Sequence, residues 1–189
     1  MFKSIQLVLF LVVASFAQSS LIDSFEDDFN RSNFAGITTL YHYPETQDKK
    51  SHREDSLILV GFYAELHSHW GNIIKADRYR MCDSCLLLTV SLCSADSSYW
   101  NHQTFGDTLL YKLKTTKKDS IFMGFRTRIE DRKMKIGYFD IHAILKQNLT
   151  DSDRRNFTHQ CEVAMHKLQT EFNEMVSRAM TAKNAPNHK

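Results

Sequence analysis

Alternation of apolar and polar residues constrains this chain more than any other feature. Apolar side chains occupy every second position in residues 57–69, 86–92, 107–114, 119–129 and 134–145. Because successive side chains of a strand point to opposite faces, each segment is predicted as a half-buried strand. The short polar stretches TTKKD and EDRK separate the last three segments and are typical of hairpin turns. The pattern therefore predicts a curved antiparallel β-meander of about five strands.

The C-terminal part of the chain changes to a helical pattern. Apolar side chains recur there at spacings of three and four, which draws one apolar stripe along an amphipathic helix. Thr150 is the predicted N-cap, and the apolar spacing in residues 20–35 predicts a short N-terminal helix. We expect an α+β fold in which the meander packs against the long C-terminal amphipathic helix. The stripe comprises Phe157, Cys161, Ala164, Met165, Leu168, Phe172, Met175, Val176 and Ala179.

Residues 1–17 have the organisation of a secretory signal peptide. Lys3 supplies a short positive region, residues 5–13 form an apolar run, and small residues precede a cleavage site after Ala17. We therefore expect a secreted, extracellular protein.

The remainder is the size of one domain, predicted over residues 18–182, with a disordered tail over residues 183–189. No later segment reaches the roughly 18 apolar residues that a membrane span needs. Loss of Lys3 lowers the formal net charge from +2 to +1. A nearly neutral chain gives no reason to expect nucleic acid or a membrane surface as partner.

The four cysteines follow the leader, at Cys82, Cys85, Cys93 and Cys161. An even number in a secreted chain predicts two disulfides, with three possible connectivities. We expect one bridge to join Cys161 to the 82–93 region. The CDSC motif also has the spacing of redox and zinc sites, but strand-like residues follow it rather than a helix.

Three sequons are predicted to carry N-glycans. They begin at Asn30, Asn148 and Asn156, and the secretory leader makes each a predicted acceptor that must lie on the surface.

His67 and His69 lie two residues apart in the string HSHWG. In a strand this spacing would place both imidazoles on one face, where they could share a metal ion. The string resembles, over these five residues alone, the H-x-H-W-G stretch of α-type carbonic anhydrases. A zinc site needs further ligands, and the candidates are Glu65, His102, Asp140 and His142.

Three functional hypotheses remain. We expect no cofactor, except for the metal ion that the second hypothesis would require. The first is an extracellular binding protein that holds a small apolar ligand in a pocket between helix and sheet, or binds a protein partner. The second is a metal-dependent hydrolase or lyase using His67 and His69, and the third is a structural protein without a ligand. A partner would contact the aromatic-rich loop over residues 94–106, because exposed aromatic residues often mark contact surfaces. The candidate contact residues are Tyr99, Trp100, His102 and Phe105.

Overall fold

A computed structural model describes residues 21–43, 47–82, 85–93, 108–131, 133–146 and 154–184. The helices are α1 (residues 21–30), α2 (Phe34–Thr38), α3 (Lys49–Trp70) and α4 (Arg154–Asn184). The strands are β1 (Ile73–Arg78), β2 (Cys85–Cys93), β3 (Thr108–Thr115), β4 (Ile121–Glu130) and β5 (Lys133–Lys146). The leader, the 94–106 loop, Asn148 and Thr150 lie outside the described residues.

The five strands form one antiparallel sheet, which confirms the predicted α+β class. The strand order is β1-β3-β4-β5-β2. Strands β3, β4 and β5 form the predicted meander, whereas β2 pairs with the far side of β5 and β1 with the far side of β3. The meander thus covers three of the strands, and the chain crosses the sheet between β2 and β3.

The prediction of a strand over residues 57–69 is wrong, because the segment belongs to α3. Asp48 caps this helix by accepting hydrogen bonds from the backbone N–H groups of Lys50 and Ser51, and Gly71 ends it with a φ of 71°. The residues that α3 buries are spaced by three and four rather than by two. They are Leu59, Phe62, Tyr63, Leu66 and Trp70.

Strand β1, which the sequence patterns did not predict, is fastened to α1 by one side chain. The Asn30 Oδ1 accepts a hydrogen bond from the Ile73 N–H at 2.7 Å. The Asn30 Nδ2 donates to the Ile73 carbonyl at 3.0 Å. This pair of bonds satisfies both the N–H and the carbonyl of Ile73 at the start of β1.

The helices cover one face of the sheet, which we call the core face. Directly opposed residues of antiparallel strands share a face, so Phe125 and Phe139 both point toward the helices. Phe25 of α1 lies 5.0 Å from Phe125 between ring centroids, and Tyr63 of α3 lies 5.4 Å from Phe139. All four side chains are fully buried. This aromatic cluster is the centre of the hydrophobic core.

The C-terminal half of α4 is anchored on α3. Phe172 packs against Phe62 with ring centroids 5.5 Å apart. The helices approach so closely at Gly61 that a Cβ there would lie 3.2 Å from the Cβ of Ala179. The Arg178 guanidinium also pairs with Glu65 at 3.2 Å. In the N-terminal half of α4 the predicted stripe is only half-buried, from Phe157 through Leu168.

Two further predictions concern the C-terminal tail and the absence of a membrane span. α4 continues to Asn184, so the helix includes the first two residues of the predicted disordered tail. Among the described residues, none of the helices combines the length and the apolar composition that crossing a membrane requires.

Candidate functional site

A pocket of about 390 Å³ lies between α4 and the end of the sheet. It forms where the pairing of β4 with β5 stops at Phe122 and His142, because β5 continues to Lys146 with β2 as its neighbour. Such a volume is at the lower end of the range of small-molecule sites. The apolar part of its lining includes Trp70, Ile121, Ile141, Leu168, Phe172 and Met175.

The turn between β3 and β4 forms one wall of this pocket and is tied to the end of α3. Thr115 Oγ1 donates to the Trp70 carbonyl at 2.6 Å, and the Lys117 N–H donates to the same carbonyl at 3.0 Å. The Lys117 Nζ donates to the Ser68 carbonyl at 2.5 Å. Within the turn, the Lys118 N–H donates to Thr115 Oγ1 at 3.0 Å. The backbone that carries Lys118 is therefore fixed beside Trp70.

The charged side chains of the lining lie on this turn and on α4. Lys118 and Lys167 are exposed, and Glu171, one helical turn after Lys167, is half-buried. Among the described residues, neither lysine forms an ion pair within 4.0 Å. The pocket thus combines a buried apolar floor with two cationic groups and one acidic group.

The face of the sheet opposite the helices, which we call the polar face, carries a buried polar cluster. The Asp140 side chain is fully buried, and one of its oxygens lies 3.8 Å from the Arg126 Nε, a distance of ion pairing rather than hydrogen bonding. The His142 Nδ1 lies 2.9 Å from the Thr89 Oγ1. Asp140 and His142 point to the same face because they are two residues apart on β5.

Gly124 makes room for the His142 ring. A Cβ at this position would lie 2.5 Å from the His142 Nε2, so a larger residue would displace the imidazole. The Nε2 atom is buried and has no hydrogen-bond partner among the described residues. Burial, and secondly the charge of Arg126, lower the pKa of His142 to about 4. The ring is therefore neutral at physiological pH.

A second histidine, His42, uses both ring nitrogens inside the fold. Its Nε2 lies 3.2 Å from the Arg128 Nη1, and its Nδ1 lies 2.8 Å from the Glu130 Oε2. A guanidinium can only donate, so Nε2 accepts and the Nδ1–H donates to Glu130. The hydrogen bond from His42 lowers the pKa of Glu130. Because both ring nitrogens of His42 are engaged, its contacts with Arg128 and Glu130 hold residues 40–42 against the β4–β5 hairpin.

The paired histidines of the metal hypothesis are separated by the helix. Residues two apart on a helix point about 200° from each other, so His67 and His69 cannot present both rings on one face. The His67 Nε2 lies 2.7 Å from the Asn72 Oδ1, and the ring packs against Phe29. In the described part of the chain, no three His, Cys, Asp or Glu side chains are grouped to hold a metal ion. His67 and His69 therefore do not share one face, as the metal hypothesis required.

The disulfide that the structure shows belongs to one of the three predicted connectivities. Cys82 and Cys85 form a disulfide with a Cα–Cα distance of 5.2 Å, whereas Cys161 carries a free thiol on α4. The expected bridge from Cys161 to the 82–93 region is not formed among the described residues, which do not include the side chain of Cys93. The disulfide of the CDSC motif lies at the start of β2, because Cys85 is the first residue of that strand.

Other predicted site residues lie partly or wholly outside the described residues. These are the contact residues Tyr99, Trp100, His102 and Phe105, the acceptor Asn148, and the side chain of Asn156. Asn30 is described, and its Nδ2 donates to the Ile73 carbonyl. A glycan on Nδ2 would leave one N–H for that bond, so glycosylation at Asn30 remains a prediction.

Sequence reasoning missed most of the pocket lining. Trp70 directly follows the strand that was predicted over residues 57–69, and Lys118 belongs to the predicted TTKKD hairpin turn. The signal that was available is the helical spacing from Leu59 to Trp70, followed by Gly71 as a helix stop. No sequence signal indicates that Lys167 and Lys118, which are 49 positions apart in the chain, would line one cavity.

Comparison of the chain with protein-family models, with curated proteins and with solved structures found no match in any of the three. The functional argument therefore depends on the residues of this chain alone.

Proposed function

We propose that this protein is an exported glycoprotein that binds a small, largely apolar molecule between α4 and the sheet. The observation that carries the proposal is the pocket of about 390 Å³ at the unpaired end of β5. Small-molecule binding requires a preformed concave site that combines apolar walls with polar groups. Polar and apolar atoms contribute about equally to the exposed lining of this pocket.

Burial within the lining supports a ligand-sized site rather than a loose surface groove. Trp70, Phe172 and Met175 are each at most 5% exposed, so they offer fixed walls from two helices. Methionine adds an adaptable, polarizable surface that accommodates apolar ligands of varied shape. The charged groups lie on the exposed turn and on α4, and the buried His142 of β5 also lines the cavity.

Binding can be tested with a variant that fills the pocket. Ala143 lines the cavity and is half-buried, so Ala143→Phe should abolish binding of a small apolar probe such as 1-decanol. Val163→Phe is the matched control, because Val163 is 54% exposed on α4 and does not line the pocket. Titration followed by tryptophan fluorescence reports binding, and thermal unfolding shows whether each variant is folded. Equal affinity of the two variants, or no binding by the native protein, would contradict the proposal and favour a structural role.

Export and glycosylation rest on sequence features and have their own test. Expression in a eukaryotic secretory host should yield a product that begins after Ala17 and carries glycans at its sequons. N-terminal sequencing and the mass change after glycosidase treatment measure both. An intact leader or an unchanged mass would overturn this part of the proposal.

A further inference from the structure

We propose that the ligand is a single-chain amphiphile with one anionic head, bound with its chain in the apolar pocket and its head beside Lys118 and Lys167. This inference rests on the proposed function and names its ligand class. The juxtaposition that carries it is one cavity lined by buried apolar side chains and by two lysines from separate elements.

The two cationic groups reach the cavity from independent parts of the fold. Lys167 belongs to α4, whereas Lys118 belongs to the turn between β3 and β4. Neither forms an ion pair among the described residues. An anionic head would therefore gain two attractive contacts without breaking existing ones.

The side chain of Lys117 is hydrogen-bonded within the fold, whereas Lys118 is fixed through its backbone. The Lys117 Nζ is engaged by the Ser68 carbonyl at the end of α3. Two hydrogen bonds with Thr115 hold the backbone of Lys118. The Lys118 N–H donates to Thr115 Oγ1, and the Thr115 N–H donates to the Lys118 carbonyl at 2.8 Å. The attachment point of the Lys118 side chain is thus preorganised, which lowers the entropic cost of binding a head group.

The charge balance of the lining selects against other head groups. Glu171 is the single acidic residue that lines the cavity, so the three charged side chains sum to one positive charge. A cationic head would face two like charges, and a neutral head would gain no ion pair. A carboxylate is the simplest head that satisfies this pattern.

The experiment compares three probes that share one chain and differ in the head: decanoate, 1-decanol and decyltrimethylammonium. Each is titrated below its micellar concentration while tryptophan fluorescence is recorded. The Trp100→Phe background leaves Trp70, which lines the pocket, as the remaining tryptophan of the two in the chain. We expect decanoate to bind most tightly, the alcohol less tightly and the cation most weakly.

The lysines are tested by charge removal and charge retention. Lys118→Gln with Lys167→Gln should raise the Kd for decanoate about tenfold and leave that for 1-decanol within about twofold, because solvent-exposed ion pairs contribute modestly. Lys167→Arg should retain decanoate binding, and Lys112→Gln, on an exposed position of β3 outside the pocket, is the matched control. Added salt should weaken decanoate binding in the native protein.

The outcomes separate the two proposals. Equal affinity for decanoate and 1-decanol, or unchanged decanoate binding in the double variant, overturns the anionic-head inference while the apolar pocket stands. Binding of none of the probes overturns the proposed function and this inference with it.

Discussion

Buried side chains on the two faces of the sheet are stabilised by different interactions. On the core face, Phe125 and Phe139 meet aromatic rings from α1 and α3, and shape and apolar area supply the stability. On the polar face, Asp140 and His142 are also buried, at 0% and 5% exposure. They require charge and hydrogen-bond partners, because burying a polar group without a partner is costly.

Alternation of apolar and polar residues in the sequence therefore predicts which residues share a face, but it does not predict which face is buried. Phe139 and Asp140 are adjacent on β5 and point in opposite directions, yet both are fully buried. The polar face therefore depends on a few specific contacts, whereas the core face depends on many interchangeable ones.

Truncation of a core-face ring should have the largest effect. Phe139→Ala should lower the free energy of unfolding by about 3–5 kcal/mol, because it leaves a cavity among well-packed aromatic rings. Phe122→Ala is the matched change on the polar face, where the ring is half-buried beside Tyr79. Urea denaturation measures both, and equal losses would erase the contrast between the two faces.

Acidification should destabilise the protein through His142. Its pKa is about 4 in the fold and about 6.5 in the unfolded chain, so the unfolded state binds the proton more tightly. Stability is therefore full above pH 6.5 and is lost as the pH falls toward 4, by about 2–3 kcal/mol between pH 7 and 4.5. The measurement is urea denaturation at both pH values for the native protein and His142→Asn. Identical pH dependence of the two would refute the role of His142.

Removal of the buried carboxylate should cost less than removal of a core ring. Asp140→Asn should lower the free energy of unfolding by about 2 kcal/mol, because Arg126 loses its counter-charge but its partly exposed side chain can recover water. Asp77→Asn is the control, since its ion pair with Lys75 is exposed and should change stability by less than about 0.5 kcal/mol. A neutral effect of Asp140→Asn would mean that the polar face does not depend on this charge.

The smallest expected effect comes from the hydrogen bond of Thr89. Thr89→Val keeps the shape of the side chain but removes the hydroxyl that lies 2.9 Å from the His142 Nδ1. We expect a loss of about 1 kcal/mol in chemical denaturation. Thr108→Val serves as the comparison, because Thr108 lies on the same face and its methyl group is close to Gly124. A larger loss at Thr108 than at Thr89 would contradict the assignment.

Sequence patterns located the meander because the hairpin strands are long and their turns are short and polar. Strands β3, β4 and β5 all lie within two residues of the predicted segments. The same reasoning failed at residues 57–69, where apolar residues at Ile58 and Val60 imitated alternation. The helical set from Leu59 to Trp70 is just as regular and is the one that becomes buried. Helix and strand patterns overlap in such an apolar-rich segment, and tertiary packing decides between them.

The existence of a helix–sheet pocket was predictable as an architecture, whereas its lining was not. Layer order suggests a cavity beneath α4, but the lining depends on where β4 ends relative to β5. That relation is set by the pairing of Phe122 with His142, which no periodicity encodes. Strand β1 was missed for a related reason, since it has no alternating pattern of its own. Its position is defined by pairing with β3 and by the hydrogen bonds between Asn30 and Ile73.

The attachment of the β3–β4 turn to the Trp70 carbonyl has a mechanical consequence. α3 holds that turn at its C-terminal end and holds α4 through Gly61 and Phe62, so both sides of the cavity share one support. A rigid movement of α3 would carry them along without altering the gap. Bending of the half of α4 that precedes Phe172 would instead change the width of the cavity.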